Sequence, residues 1–301
     1  MTPSRSGFRV NIETINGVRR GALAALLLVG LAGCAALDGS SGRAVLSPER
    51  ISGIVSAPDR SAADRVNDQR RKPEQMLAFI GVRPGMAALD ISAGGGYTTE
   101  LLARAIGPGG VVYGQSPPRN SAGPTPAAPE GSSGAAPAAS AAPAPGPRRT
   151  SPEALADRES RLKAGGAAAS PIIAVVQGFE DPVPPSRASQ GLDLVTLMFN
   201  YHDLGFLGVD RARMNRAVFA ALKPGANYVI ADHAGRAGTG ISESGTLHRI
   251  EEAFLVKEVE AAGFRLAAEA AVLRNPADPR DRNPPAPAQP TDEFVLKFVR
   301  P

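Results

Sequence analysis

The side chains best suited to chemistry fall into three groups. Asp90-Ile91-Ser92-Ala93-Gly94-Gly95-Gly96 sets a carboxylate near the end of an apolar run and follows it with three consecutive glycines. Glycine tolerates positive φ and carries no Cβ, so a ligand can lie against the backbone there. Asn200-Tyr201-His202-Asp203 and Asp232-His233 place hydrogen-bonding and titratable groups just after two further apolar runs. Imidazole has a neutral form near pH 7, which makes His202 a candidate general base. The alternative is that Tyr201 and His202 hydrogen-bond the loop that follows them. His233 is expected to pair with Asp232, and His248, beside Arg249, to be a surface or packing residue. The spacing of His202, Asp232 and His233 matches no local ligand signature, so no metal is expected. The glycine turn also excludes two common nucleotide sites. A dinucleotide fingerprint needs a third glycine where Thr99 stands and an acid where Gln115 stands, and no Gly-Lys-Ser/Thr follows to make a phosphate loop.

These groups need elements to hold them. Ser61 to Ile80 reads as helix, broken or restarted at Pro73, and Met86 to Ser92 as a buried strand. After the glycines come a helix Thr98 to Ile106, stopped by Gly107-Pro108, and a strand Gly110 to Gly114. A helix Ser151 to Ala164 follows, with Ser151 as N-cap and Pro152 at the first helical position. Strands Ile172 to Gln177 and Leu192 to Phe199, helix Arg211 to Leu222 and strand Tyr228 to Asp232 continue the alternation. A helix from about Thr246 to Ala262 then gives way to two β-like runs, Phe264 to Leu273 and Glu293 to Val299. Strands interleaved with helices imply an α/β fold, a doubly wound, mostly parallel sheet with helices on both faces. The last two runs, having no helix between them, are read as an antiparallel pair at the sheet edge.

The motifs carry a resemblance. Asp90 followed by Gly94 and Gly96 resembles the first motif, Asp/Glu-x-Gly-x-Gly-x-Gly, of class I S-adenosylmethionine-dependent methyltransferases. Leu222-Lys223-Pro224-Gly225 resembles the turn before the fifth strand in that superfamily, Leu192-Asp193-Leu194-Val195 its fourth strand, and Ala261-Ala262-Gly263-Phe264 the turn into its sixth. A narrower likeness rests on Arg65, Arg71-Lys72-Pro73, Gly94 to Glu100, Phe199 to Asp203 and Leu273 to Asp278. Together these resemble an exported bacterial family of predicted methyltransferases. The resemblance implies a Rossmann-like, seven-stranded sheet and S-adenosyl-L-methionine as cofactor. By the same resemblance Asp90, Ser92, Gly94 and Gly96 bracket its methionine part, Gln115 its ribose, and Glu180 or Asp181 its adenine amino group. Asn200, Tyr201 and His202 then face an unidentified small-molecule acceptor. Two positions depart from the pattern: Ser92 replaces a glycine, and Gln115 brings no charge to the ribose position.

The termini and insertions complete the organisation. Arg19-Arg20 precedes an uncharged run of 17 residues, Gly21 to Leu37, short of the ~20 a membrane span needs. Its layout is that of a secretory signal. Leu31-Ala32-Gly33-Cys34 resembles the bacterial lipobox, which implies a signal peptide over 1–33 and acylation of Cys34, the only cysteine in the chain. The alternative is an uncleaved anchor with a buried cysteine. Ala35 is not the aspartate that would retain a lipoprotein in the inner membrane, so an outer-membrane anchor facing the periplasm is expected. A tether over 34–50 leads to a domain over 51–301. That domain is interrupted at 117–147, where all but four residues are Pro, Ala, Gly or Ser, too little apolar surface to join a core. A second proline-rich stretch runs from Asn275 to Pro290. The net charge of +4 lies mostly before residue 34 (Arg5, Arg9, Arg19 and Arg20 against Glu13), so no nucleic-acid partner is expected. Because S-adenosylmethionine is a cytoplasmic metabolite, three functions stay open: an anchored methyltransferase, a non-catalytic ligand binder on the same fold, and an interaction scaffold.

Overall fold

A computed structural model of the chain describes residues 44–119, 149–283 and 291–301. The expected signal peptide over 1–33, Cys34, most of the insertion and part of the second proline-rich stretch therefore lie outside the described residues.

The first helices are set by their caps. α1 (Pro48–Val55) starts at Ser47, whose hydroxyl accepts the Arg50 N–H, so the domain begins a few residues before 51. α2 (Ala62–Arg71) is capped in the same way by Ser61. Lys72 turns left-handed (φ 46°), and Pro73 opens α3 (Pro73–Ile80), which is the break expected at this proline.

β1 (Ala87–Ile91), buried along its length, runs into the glycine turn and α4 (Tyr97–Ile106). β2 (Val111–Ser116), α5 (Ser151–Ala164) and β3 (Ile172–Val176) follow. The N-cap of α5 is Thr150 and not Ser151. Glu153 stands three residues after Thr150, and the two exchange side-chain-to-backbone hydrogen bonds in a capping box, which fixes the start one residue earlier.

Three short or shifted elements complete the doubly wound part. α6 (Pro185–Gln190) leads into β4 (Leu192–Met198), and α7 (Asp203–Phe206) leads to α8 (Arg211–Ala221). β5 (Leu222–His233) includes the Lys223-Pro224-Gly225 turn as an irregular start. α9 spans Glu252–Glu260, not Thr246 to Ala262. The segment before it is drawn into the sheet instead: Ile250 forms a parallel bridge with Ala234, donates its N–H to His233 and accepts that of Gly235. β6 (Arg265–Ala270) and β7 (Glu293–Val299) end the fold.

The seven strands are ordered β3-β2-β1-β4-β5-β7-β6, and β7 alone runs antiparallel, between β5 and β6. Of the antiparallel pair, only β6 is therefore an edge. One face packs against α8 and α9 through Leu89, Val195, Tyr228 and Val259. The other packs against α1, α3, α4 and α5 through Ala88, Val112, Leu102 and Leu155. The topology leaves the carboxyl ends of β1, β2, β4 and β5 side by side, where ligands sit in open α/β sheets.

Candidate functional site

The glycine turn departs from β1 through residues held left-handed: Ser92 (φ 57°), Gly94 (φ 53°) and Gly96 (φ 77°). Ser92 thus adopts the conformation a glycine would take at lower cost. Its hydroxyl donates to Asn200 Oδ1 at 2.6 Å, and its N–H donates to Gln115 Oε1 at 3.0 Å. The N–H groups of Ala93 and Gly96 are also used, on the carbonyls of Gln115 and Ala93. Those of Gly94 and Gly95 have no partner among the described residues. Gly96 is the N-cap of α4, and no side chain caps that helix. The turn therefore presents two unpaired donors at a helix N-terminus, the arrangement that holds carboxylates and phosphates.

Asp90 does not reach a ligand position. It is buried between neighbours, accepting Thr99 Oγ1 from the first turn of α4 at 2.6 Å and Thr196 Oγ1 from β4 at 2.7 Å. Burial pushes its pKa up to about 6 against the opposing pull of those hydroxyls and of Arg71. It ties β1 to α4 and β4, and so sets the aim of the turn. Gln115 is likewise spent inside the fold: besides Ser92 it bonds the carbonyl of Gln177 at 2.7 Å, joining the ends of three strands. Glu180, half-buried, and Asp181, exposed, follow β3.

At the end of β4 the four consecutive polar residues diverge. Asn200 faces the turn, its Oδ1 on Ser92 and its Nδ2 donating to Asp203 Oδ2 at 2.8 Å. Tyr201 turns to the opposite layer, where its hydroxyl accepts from Asn215 of α8 and donates to Glu258 of α9 at 3.1 Å. Burial, followed by the Glu258 carboxylate, raises its pKa far above the usual phenol value.

His202 is buried between two carboxylates. Its Nδ1 lies 2.6 Å from Asp232 Oδ1 and its Nε2 3.1 Å from Asp203 Oδ1. Burial alone would lower its pKa, but Asp232 and Asp203 outweigh burial and raise it to about 10. With Nδ1 held by Asp232 and Nε2 by Asp203, both ring nitrogens are engaged and neither is free to act as a base in this arrangement.

All three histidines of the chain meet here. The ring of His233 is 5.5 Å and that of His248 5.6 Å from His202, and His248 Nδ1 bonds Asp203 Oδ1 at 3.0 Å. The His233 ring turns to Glu293 of β7 at 3.2 Å, while its backbone N–H donates to Asp232 Oδ1 at 2.8 Å, so the expected pairing with Asp232 is made by the main chain. His248 is half-buried within this cluster and not a detached surface residue. The signal for this meeting is the pairing of β4 with β5: Met198 stands opposite Ala231, so the residues after each strand must lie together. His248 could not be foreseen, because it arrives through the bridge between Ala234 and Ile250.

Backbone strain gathers at the same place. Five described non-glycine residues have positive φ, and Ser92, Phe199 and His248 among them surround these strand ends. Each costs roughly 1–3 kcal/mol, and such strain persists where surroundings enforce it, commonly at functional sites. Phe199 is pinned by the Arg71 guanidinium, 3.9 Å from its ring centroid.

The turn is closed from behind by charge. Arg158 of α5 donates to the Gly95 carbonyl at 2.5 Å and pairs with Asp64 of α2 and Glu100 of α4. A Cβ on Gly96 would stand 2.7 Å from Leu155 and 2.8 Å from Arg158. Sequence patterning missed this bracket, since an arginine on a polar helix face carries no mark of burial.

Strand order, the single antiparallel strand and the glycine turn after β1 define a Rossmann-like, doubly wound α/β fold with a seven-stranded, mostly parallel sheet. No protein-family model and no curated protein matches the sequence. Among solved structures, the chain is similar to a SAM-dependent methyltransferase from Aquifex aeolicus, at 15% identity over 85% of this chain and 100% of that one, with a TM-score of 0.48. It is also similar to a putative sarcosine dimethylglycine methyltransferase from Galdieria sulphuraria, at 12% identity over 80% and 98% of the two chains, TM-score 0.47. The [4+2]-cyclase SpnF aligns at 16% identity over 82% and 86%, TM-score 0.47. The likeness is one of fold.

Proposed function

We propose that this chain is an S-adenosyl-L-methionine-dependent methyltransferase, exported and held by a lipid on Cys34 at the outer membrane, that acts on a small-molecule acceptor. The observation carrying this reading is the turn itself, with the unpaired N–H groups of Gly94 and Gly95 at the uncapped start of α4. These donors suit the cofactor's carboxylate; when bound, the cofactor supplies a methyl group activated on sulfonium. Asp90 and Thr99 fix the turn, and Glu180 or Asp181 is placed after β3 for the adenine side. Asn200, facing the turn from the end of β4, orients the acceptor. Transfer is an in-line displacement, so what the residues supply is chiefly alignment. Gln115 does not fit the ribose as it stands, because both ends of its amide are engaged.

That engagement, with the Ser92–Asn200 bond, favours a second reading: a ligand-binding lipoprotein on the same fold that does not turn the cofactor over. Titration of the purified protein with S-adenosylmethionine and S-adenosylhomocysteine separates the two. Saturable binding is expected, weakened about 30-fold or more (~2 kcal/mol) by Gly94→Val, which puts a branched side chain where the ligand meets the backbone. Exposed Arg236→Ala serves as the neutral control. Absence of binding by either compound near millimolar concentration would shift the preference to the second reading.

The anchor has its own test. Metabolic labelling with a fatty acid is expected to mark the wild-type chain and to leave Cys34→Ala unmarked and released from membranes. Among the described residues no helix is long and apolar enough to cross a membrane.

A further inference from the structure

We propose that His202, Asp203 and His248 form a binding site for a divalent first-row transition metal ion. Each of the three offers a ligand atom within 4.8 Å of those of the other two, and the nitrogens facing Asp203 Oδ1 are His202 Nε2 and His248 Nδ1. Asp203 Oδ1 lies 3.1 Å from the first nitrogen and 3.0 Å from the second. Ligands of a tetrahedral ion with bonds near 2.0–2.1 Å stand about 3.3 Å apart, so an ion can enter with small side-chain movements. Two imidazoles and a carboxylate form the donor set used for catalytic zinc and for non-haem iron, with at least one position left open.

The surroundings are those of a built site. His202 Nδ1 is held by Asp232 Oδ1 at 2.6 Å, and the other oxygen of Asp232 accepts the His202 backbone N–H at 2.7 Å. A buried carboxylate on the far nitrogen fixes the ring and its tautomer, leaving Nε2 as the coordinating atom. Asn200 does the equivalent for Asp203 by donating to its second oxygen. The left-handed backbone at His248 (φ 52°) swings this ring onto the other two groups, and the Ala234–Ile250 bridge holds it there.

Charge and access agree. An ion entering here takes the place of any proton between His202 Nε2 and Asp203 Oδ1, and the carboxylates of Asp203 and Asp232 supply two negative charges to match a divalent cation. His202 is 3% exposed, but Asp203 and His248 are 15% and 28% exposed, so one side of the site opens to solvent. His233 stays outside, engaged with Glu293. The site stands independently of methyl transfer.

The test uses the untagged full chain, stripped with a chelator and titrated without any cofactor. Zn²⁺ is followed by calorimetry and Co²⁺ by its visible absorption. One ion per chain is expected, with a higher unfolding temperature in Zn²⁺. His248→Ala and Asp203→Asn are each expected to weaken binding about 100-fold and to abolish the thermal shift, and Asp232→Asn to weaken it about 10- to 100-fold. Circular dichroism checks that the variants remain folded, and His248→Gln serves if His248→Ala does not. No saturable binding near millimolar Zn²⁺, or binding unchanged in folded His248 and Asp203 variants, overturns the site and leaves the cluster a set of hydrogen bonds.

Discussion

Replacing Arg158 by alanine is expected to lower stability by about 3–5 kcal/mol, because it strands the buried Asp64 carboxylate and takes one of two arginines from buried Glu100. The guanidinium takes Asp64 with two nitrogens, at 2.7 and 2.9 Å, and reaches Glu100 at 2.6 Å, while its Nε holds the Gly95 carbonyl. Glu100 keeps a second partner in Arg104, which also pairs with Asp59. Among the described residues Asp64 keeps only the Ser61 hydroxyl and the weaker pull of Arg60. Burial pushes the pKa of Asp64 up, and Arg158 is the chief reason that it nevertheless lies below the usual carboxylate value. For a domain of this size the loss corresponds to roughly 6–20 °C in unfolding temperature. Arg158→Lys should fall between, since an ammonium cannot fork onto Asp64 while reaching Glu100 and Gly95. A drop below about 1 kcal/mol for Arg158→Ala would show that this bracket is not what closes the turn.

The second large effect is a dependence on pH centred on Asp90. Its pKa is raised in the folded state from 3.8 to about 6, first by burial. Between these values the native protein binds a proton that the unfolded chain has released, so stability falls as pH rises through the window. One pKa unit is worth about 1.4 kcal/mol, giving a total near 3 kcal/mol that is present below pH 4 and gone above pH 6 to 7. Asp90→Asn should remove this slope. Other titrating groups cancel when the two proteins are compared, so denaturant unfolding should find the variant gaining on wild type by about 2–2.5 kcal/mol between pH 4 and pH 7.5. A difference that stays constant with pH would contradict the assignment.

What the sequence disclosed and what it concealed have physical causes. β1, the turn and α4 were legible because an apolar run, glycines and a second apolar period follow one another within twenty residues. The order of alternation gave the doubly wound sheet and the antiparallel end. α1, α6 and α7 escaped because four to eight residues hold too little periodicity. α9 was read six residues too early because its helical pattern continues upstream, whereas pairing with the end of β5 decides the backbone there. At the site, positions were legible and partners were not. Asp90, Gln115 and His202 do stand at strand ends, but only the folded chain shows that Thr99 and Thr196, Ser92 and Gln177, or Asp203 and Asp232 already occupy them.

The contact between Asp64 and Arg158 spans 94 residues of chain and encloses β1, α4, β2 and the whole alanine- and proline-rich insertion. The entropic cost of closing so long a loop rises only with the logarithm of its length, about 0.6 kcal/mol per doubling. The insertion adds 31 residues to that loop, well short of a doubling, so it raises the closing cost by a few tenths of a kcal/mol at most. The bracket over the glycine turn is thus nearly indifferent to how much sequence accumulates after Ser116. It does set an order of events during synthesis, since helices α1 to α4 can form early, with Glu100 on Arg104, while Asp64 waits for an arginine that emerges only after the insertion has been made.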